Sequence, residues 1–204
     1  MPETTAAARE GKVDVAAIIL AAGAGSRYGY PKILAPGFLD AALGALDGAG
    51  VAKIMVVTGA RRVVLPDNVQ EVFCPRWHRG MGASLRSGLE AAAGAAQRLL
   101  LHVVDCPDVD SHVVRRILEQ DTTRPARAVF EGKPGHPVVL PRPYVTKLLT
   151  VLDDAAGAGR YLAGLPELLQ VECSDLASGH DIDVPGEAGQ YTWEQVSPPP
   201  GAGN

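Results

Sequence analysis

Residues 13–32 read VDVAAIILAAGAGSRYGYPK. Val13 to Leu20 is a near-continuous apolar run, the pattern of a strand covered on both faces. It ends in small residues, and Gly23 and Gly25 let the backbone approach a ligand and aim successive N–H groups inward. Arg27 adds a planar guanidinium and Lys32 a point charge. A plain flexible turn needs glycine but neither cation, so the stretch predicts a buried strand delivering a phosphate-cradling loop. Two familiar glycine loops do not fit. A dinucleotide fingerprint wants its third glycine one position before Gly29 and an acidic residue closing the second strand, which ends Val57–Thr58. A P-loop wants Lys and Ser/Thr directly after its last glycine, where Tyr30 and Pro31 stand.

Working outward, short β-branched runs alternate with Ala/Leu-rich stretches. Strands are predicted at 54–57, 69–73, 99–104, 128–130, 138–140 and 169–173. Helices are predicted at 38–46, 81–97, 111–118, 144–152 and 160–165. Gly48 and Gly50 end the first helix, Leu85 and Leu89 share one face of the long second one, and Ser111 can cap the third. A Gly/Pro loop joins 128–130 to 138–140. This alternation predicts an α/β fold with a doubly wound, mainly parallel sheet in a single domain, with ligands at the carboxyl ends of the strands. The domain is expected to span 13–196, between a loose N-terminal tail at 1–12 and a disordered C-terminal tail at 197–204 (SPPPGAGN).

The chain has 204 residues, of which 47% are hydrophobic and 21% charged, and a net charge of −4. An acidic chain with no Lys/Arg stripe is not expected to bind nucleic acid. Cys74, Cys106 and Cys173 are far apart and form no CxxC pair, so buried thiols in a reducing compartment are expected. MPETTAAAREGK has no basic segment followed by an apolar run, and no run is long enough to cross a bilayer. A cytoplasmic protein with no membrane partner is expected.

Four further stretches bear on chemistry. GMGASLRSGL (80–89) opens the long helix, where Gly80 and Gly82 allow close approach and Ser84 sits near the positive end of the helix dipole. LHVVDCPD (101–108) ends an apolar strand in Asp105, a charge that needs a partner or a metal and is well placed for Mg²⁺; Asp108 or Asp110 suits the turn-capping role better. KPGHPVVLP (133–141) puts His136 in the Gly/Pro loop, where a structural histidine is the plain alternative. GHDIDVPGE (179–187) carries Asp181 and Asp183, expected to face opposite ways, one into the site and one capping the turn before Pro185.

Taken together, LAAGAGSRYGYPK and these stretches resemble the molybdenum-cofactor nucleotidyltransferase family and its sugar-nucleotide and isoprenoid-precursor relatives, over residues 16–187. The resemblance implies a Rossmann-like (glycosyltransferase-A-like) fold and transfer of CMP or GMP from an NTP to a phosphorylated small molecule, molybdopterin foremost, with Mg²⁺ as cofactor. It implies a nucleotide set of Leu20, Ala21, Ala22, Gly23, Gly25, Ser26, Arg27, Lys32, Gly82 and Ser84. Lys32, Arg27 and Asp105 would be catalytic, and Asp105 and Asp183 would hold the metal, with Asp181 as the fallback. His136 and Arg160 would lie on the acceptor side. Ala22 in LAAG tilts the base towards cytosine, because guanylyl members read LAGG.

The chain departs from that pattern in three places. The segment from Lys32 to Gly50 is short, with Ala35-Pro36-Gly37 in place of a longer bend. The stretch from Ala60 to Asn68 is too short for a crossover helix. Gly157 to Arg160 lacks the lysine relatives carry before their arginine. RYGYPK, PGHPVVL and VECSDLASGHDIDVP also resemble a subgroup labelled nicotine blue oxidoreductase, which would imply a redox enzyme, although no residue pattern here marks a redox site. A third reading is a non-catalytic protein that binds a nucleotide or cofactor precursor for a molybdenum hydroxylase.

Overall fold

The computed structural model of the chain describes residues 14–184. The tails expected at 1–12 and 197–204 lie outside the described residues. Seven strands form one sheet: β1 (Val15–Leu20), β2 (Lys53–Thr58), β3 (Val69–Phe73), β4 (Arg98–Val103), β5 (Ala126–Phe130), β6 (Lys133–Pro141) and β7 (Leu169–Glu172). Their order is β3-β2-β1-β4-β6-β5-β7. β6 alone runs antiparallel to both neighbours. The others pair in parallel, as the alternation of strands and helices predicts.

Helices cover both faces. In β1, Val15, Ala17 and Ile19 join the core under α1 (Phe38–Gly48) and α3 (Ser111–Leu118). Ala16 and Ile18 join the core under α2 (Met81–Ala91) and α4 (Arg142–Val151). This is the period-two alternation of a strand, with apolar residues required on both sides. A short α5 (Gly159–Ala163) precedes β7. β1 pairs with β2 on one side and β4 on the other, so the strand order reverses there and leaves a crevice beyond the carboxyl ends of β1 and β4.

Several expected elements change. The helix expected over 81–97 stops at Ala91: Ala92 N–H bonds Gly88 O, and Gly94, at φ +81°, turns the chain. Asp110, not Ser111, caps α3, accepting from the N–H groups of His112 and Val113 at 2.8 and 3.3 Å. The loop expected between the fifth and sixth strands is a tight hairpin. Phe130 pairs with Lys133, and Glu131 and Gly132, at φ +51° and +71°, make the turn. His136 therefore lies within β6. As expected, no helix crosses from β2 to β3. No helix among the described residues is long and apolar enough to cross a membrane.

Candidate active site

The loop after β1 is pinned at both ends. Ala21 N–H bonds Val57 O, and Ala60 N–H bonds Ala22 O, each at 3.0 Å. The loop then closes on itself through Gly29 N–H to Gly25 O at 2.8 Å. Gly25 has φ +64°, and a Cβ there would lie 1.9 Å from Tyr30 O, so only glycine permits this bend. At Gly23 a Cβ would meet nothing within 4 Å: that backbone faces open space. Tyr28 anchors the far side of the loop in the core, its ring 5.0 Å from Tyr30 and 5.8 Å from Phe38.

A cleft of about 420 Å³ follows. Leu20, Ala21, Ala22, Gly23, Gly25, Ser26, Arg27 and Lys32 line it, as do Ser84, Asp105 and Asp183. Eleven residues singled out from sequence thus converge at the switch point between β1 and β4. At its charged end, Lys32 Nζ donates to Asp105 Oδ2 at 2.8 Å and Asp183 Oδ1 at 2.9 Å. Arg27 Nη1 sits 2.6 Å from Asp183 Oδ2, although its side chain is 78% exposed. Burial works against the charge on Lys32, but the two carboxylates outweigh it and hold its pKa above the ordinary lysine value. The Lys32 bond draws Asp183 below the usual carboxylate value, against the effect of burial and with help from Arg27.

Three singled-out residues lie elsewhere. Gly82 does not line the cleft. A Cβ there would lie 1.7 Å from Asp153 O and 2.2 Å from Ala156 O, so this glycine lets the 153–157 turn pack on α2. His136 faces β4, with Nδ1 3.4 Å from Leu101 O. Burial lowers its pKa, which favours the neutral imidazole. Arg160 is exposed on α5. Neither His136 nor Arg160 is among the residues of the cleft wall. The expected opposition of Asp181 and Asp183 also needs correction. Residues two apart in extended chain share a side, and Ile182 between them is the buried one. Asp183 reaches Lys32, while Asp181 accepts from Cys106 Sγ at 2.9 Å.

The cleft is also lined by Trp77, His78 and Met81, which the sequence did not single out, and by Gly80, which it did. They follow β3 and open α2. The rule that ligands sit beyond carboxyl strand ends was the available signal. Trp77 packs closely on Gly59, where a Cβ would lie 2.6 Å from Trp77 Cβ and 2.7 Å from Ala22 O.

Two acidic groups could hold a metal. Asp105 and Asp183 converge on a single cationic point, Lys32 Nζ, and their hard oxygens suit Mg²⁺ or Mn²⁺. Asp105, Cys106 and Asp181 also place ligand atoms within 4.8 Å of one another. Burial, and the negative charge of Asp181 next, push the Cys106 thiol up, so it keeps its proton and is a poor ligand. All three cysteines are free and buried, as expected.

Comparison with known proteins agrees with this geometry. The description MobA-like NTP transferase domain matches residues 17–171. No curated protein matches the chain in sequence. Among solved structures, Rv0371c from Mycobacterium tuberculosis aligns with TM-score 0.74 at 24% identity, over 88% of this chain and 97% of its own. The Methanothermobacter nucleotidyl transferase Mth528 aligns with TM-score 0.71 at 24% identity, over 86% and 94%. Rv0371c complexed with manganese aligns with TM-score 0.66 at 22% identity, over 78% and 88%. At these identities the structures speak for the fold, and the sequence match over 17–171 speaks for the family. The chain belongs to the MobA-like NTP transferase family of nucleotidyltransferases.

Proposed function

We propose that this protein transfers CMP, or failing that GMP, from an NTP to a phosphorylated small-molecule acceptor, molybdopterin foremost, and releases pyrophosphate. The observation that carries this reading is the meeting of Lys32 with Asp105 and Asp183 at the mouth of the glycine loop. Cations for phosphate and carboxylates for a metal stand at one point, beside the glycine loop that lines the same cleft.

The chemistry asks little of the protein covalently. An acceptor phosphate oxygen, already anionic, attacks the α-phosphorus, and the bond to the pyrophosphate oxygen breaks. No protein nucleophile and no general base is needed, so positioning and charge neutralisation do the catalysis. Lys32 and Arg27 hold the triphosphate and neutralise the leaving pyrophosphate. Gly23 and Gly25 let the loop backbone close on the phosphates, and Ser84 contributes from the first turn of α2. Trp77, Met81 and Ala22 add apolar surface to the same cleft, which suits the base. Asp105 and Asp183 would hold Mg²⁺, which when bound supplies positive charge beside the α-phosphoryl group. The manganese in the Rv0371c complex supports a divalent ion in this fold.

The test is pyrophosphate release with Mg²⁺ and each of the four NTPs, with and without molybdopterin. Acceptor-dependent release with CTP is expected; release with GTP instead would make the enzyme a guanylyltransferase. Nucleotide binding without release under any condition would favour an accessory protein serving a molybdenum hydroxylase. Bound flavin, or nicotinamide-dependent reduction of a dye-like heterocycle, would favour the redox reading.

A further inference from the structure

Lys32 stands where one ammonium faces two claims. Its Nζ donates to Asp105 at 2.8 Å and to Asp183 at 2.9 Å, and the side chain is only 13% exposed. An ammonium has three donors, and the carboxylates use two of them. Two carboxylates turned to one point repel each other unless a cation lies between them, and Lys32 is that cation. Arg27 also reaches Asp183, but at 78% exposure water screens its charge. A divalent cation that took the same carboxylate oxygens would meet the ammonium at close range and have to displace it. Lys32 sits in the 3₁₀ turn Lys32–Leu34, directly after the glycine loop. A flexible four-carbon stem there leaves the amine within reach of any phosphate the loop holds.

We propose that Lys32 is an exchangeable counter-cation. It holds Asp105 and Asp183 together, yields them to the divalent ion that arrives with the nucleotide, and turns to the nucleotide's phosphates. The proposal rests on the transferase reading above and adds an order to it. Metal alone binds poorly, because it must expel a paired ammonium that has nowhere to go. A metal–triphosphate complex binds well, because it brings a cation for the carboxylates and an anion for the lysine in one step. In the exchange no charge is left without a counter-charge: the metal meets the carboxylates and the ammonium meets the phosphates.

The experiment measures Mn²⁺ binding to the full chain without nucleotide, by electron paramagnetic resonance, for wild type, Lys32→Met and Lys32→Gln. Lys32→Met is expected to bind Mn²⁺ at least about tenfold more tightly than wild type, within the usual range for coupling between sites. Lys32→Gln, which keeps a donor between the carboxylates, is expected to fall in between and serves if the methionine variant does not fold. Adding Asp105→Asn to Lys32→Met should abolish the gain. Inorganic triphosphate in EDTA should bind the methionine variant about tenfold more weakly. Equal or weaker Mn²⁺ binding by both lysine variants, with wild-type circular dichroism, overturns the proposal. Wild-type pyrophosphate release, read in parallel, separates the two ideas. Turnover without a gain in Mn²⁺ affinity removes only the exchange, and a gain without turnover removes only the transferase reading.

Discussion

Lys32 and Asp105 lie 73 positions apart in the chain, and their side chains meet at 2.8 Å because the carboxyl ends of β1 and β4 are neighbours in the sheet. Asp183 joins them from 151 positions away, carried in by the segment whose Ile182 N–H bonds Asp105 O at 2.9 Å. The charged end of the cleft is thus a product of strand order.

Asp105→Asn keeps the shape and a hydrogen-bond acceptor for Lys32 but halves the negative charge facing it. Turnover is expected to fall by a factor on the order of 10² to 10³, the size seen when one electrostatic contact to a transition state is removed. Stability should change by less than about 1 kcal/mol, since the pair is partly solvated. Steady-state pyrophosphate release and a urea melt measure the two. Unchanged turnover at saturating Mg²⁺ would remove Asp105 from the metal role.

The cleft was legible in the sequence to an unusual degree, for a physical reason. A strand buried on both faces must be apolar throughout, so the first polar or glycine residues after it mark where the chain reaches the ligand edge. That logic found the loop after β1 and Asp105 after β4. It failed where side-chain direction depended on tertiary partners. Gly135 and Pro137 punctuate the sequence around His136 and predict a loop there, but pairing with β4 and β5 draws the segment into β6. Nothing local in the sequence distinguishes a tryptophan packed on Gly59, as Trp77 is, from a core tryptophan. The sequence predicts a longer α2 because alanines continue past Ala91, while the chain turns away there and passes through Gly94 at φ +81°.

Gly23 and Gly25 should part company under mutation. Gly25→Ala puts a Cβ on Tyr30 O at positive φ and is expected to cost about 2 kcal/mol or more of stability. Gly23→Ala meets nothing in the fold and should change stability by less than about 0.5 kcal/mol. It should nonetheless weaken catalysis with an NTP by up to about 10²-fold, because the added methyl displaces the phosphates. Thermal melts beside kcat/KM for each variant decide the matter. A Gly23→Ala enzyme with normal kinetics would mean the phosphates do not pass that residue.

Gly82→Ala should behave unlike Gly23→Ala. Alanine is the better helix former, which would favour the variant by about 1 kcal/mol in an open helix. Here the methyl would strike Asp153 O and Ala156 O, both backbone. We expect a net loss of stability, seen as a lower Tm. NTP affinity should suffer less than in Gly23→Ala when both are measured well below their melting points. A stabilised Gly82→Ala would show that the 153–157 turn moves freely.

His102 makes the chain acid-sensitive. It is 0% exposed on β4, and among the described residues neither ring nitrogen has a hydrogen-bond partner. Burial, with a smaller contribution from His136, depresses its pKa from 6.5 to about 3. Below pH 6.5 the unfolded chain takes up a proton that the folded chain refuses, so stability is full above that pH and falls as the pH drops. One such group costs about 1.4 kcal/mol at pH 5.5. His102→Leu removes the group without breaking a hydrogen bond. The variant is expected to lose about 1.4 kcal/mol less than wild type between pH 7.5 and 5.5, with His136 still contributing part of the remaining loss. Urea melts at the two pH values measure the difference. Identical losses in the two proteins would mean that His102 is protonated, or partnered, in the folded chain.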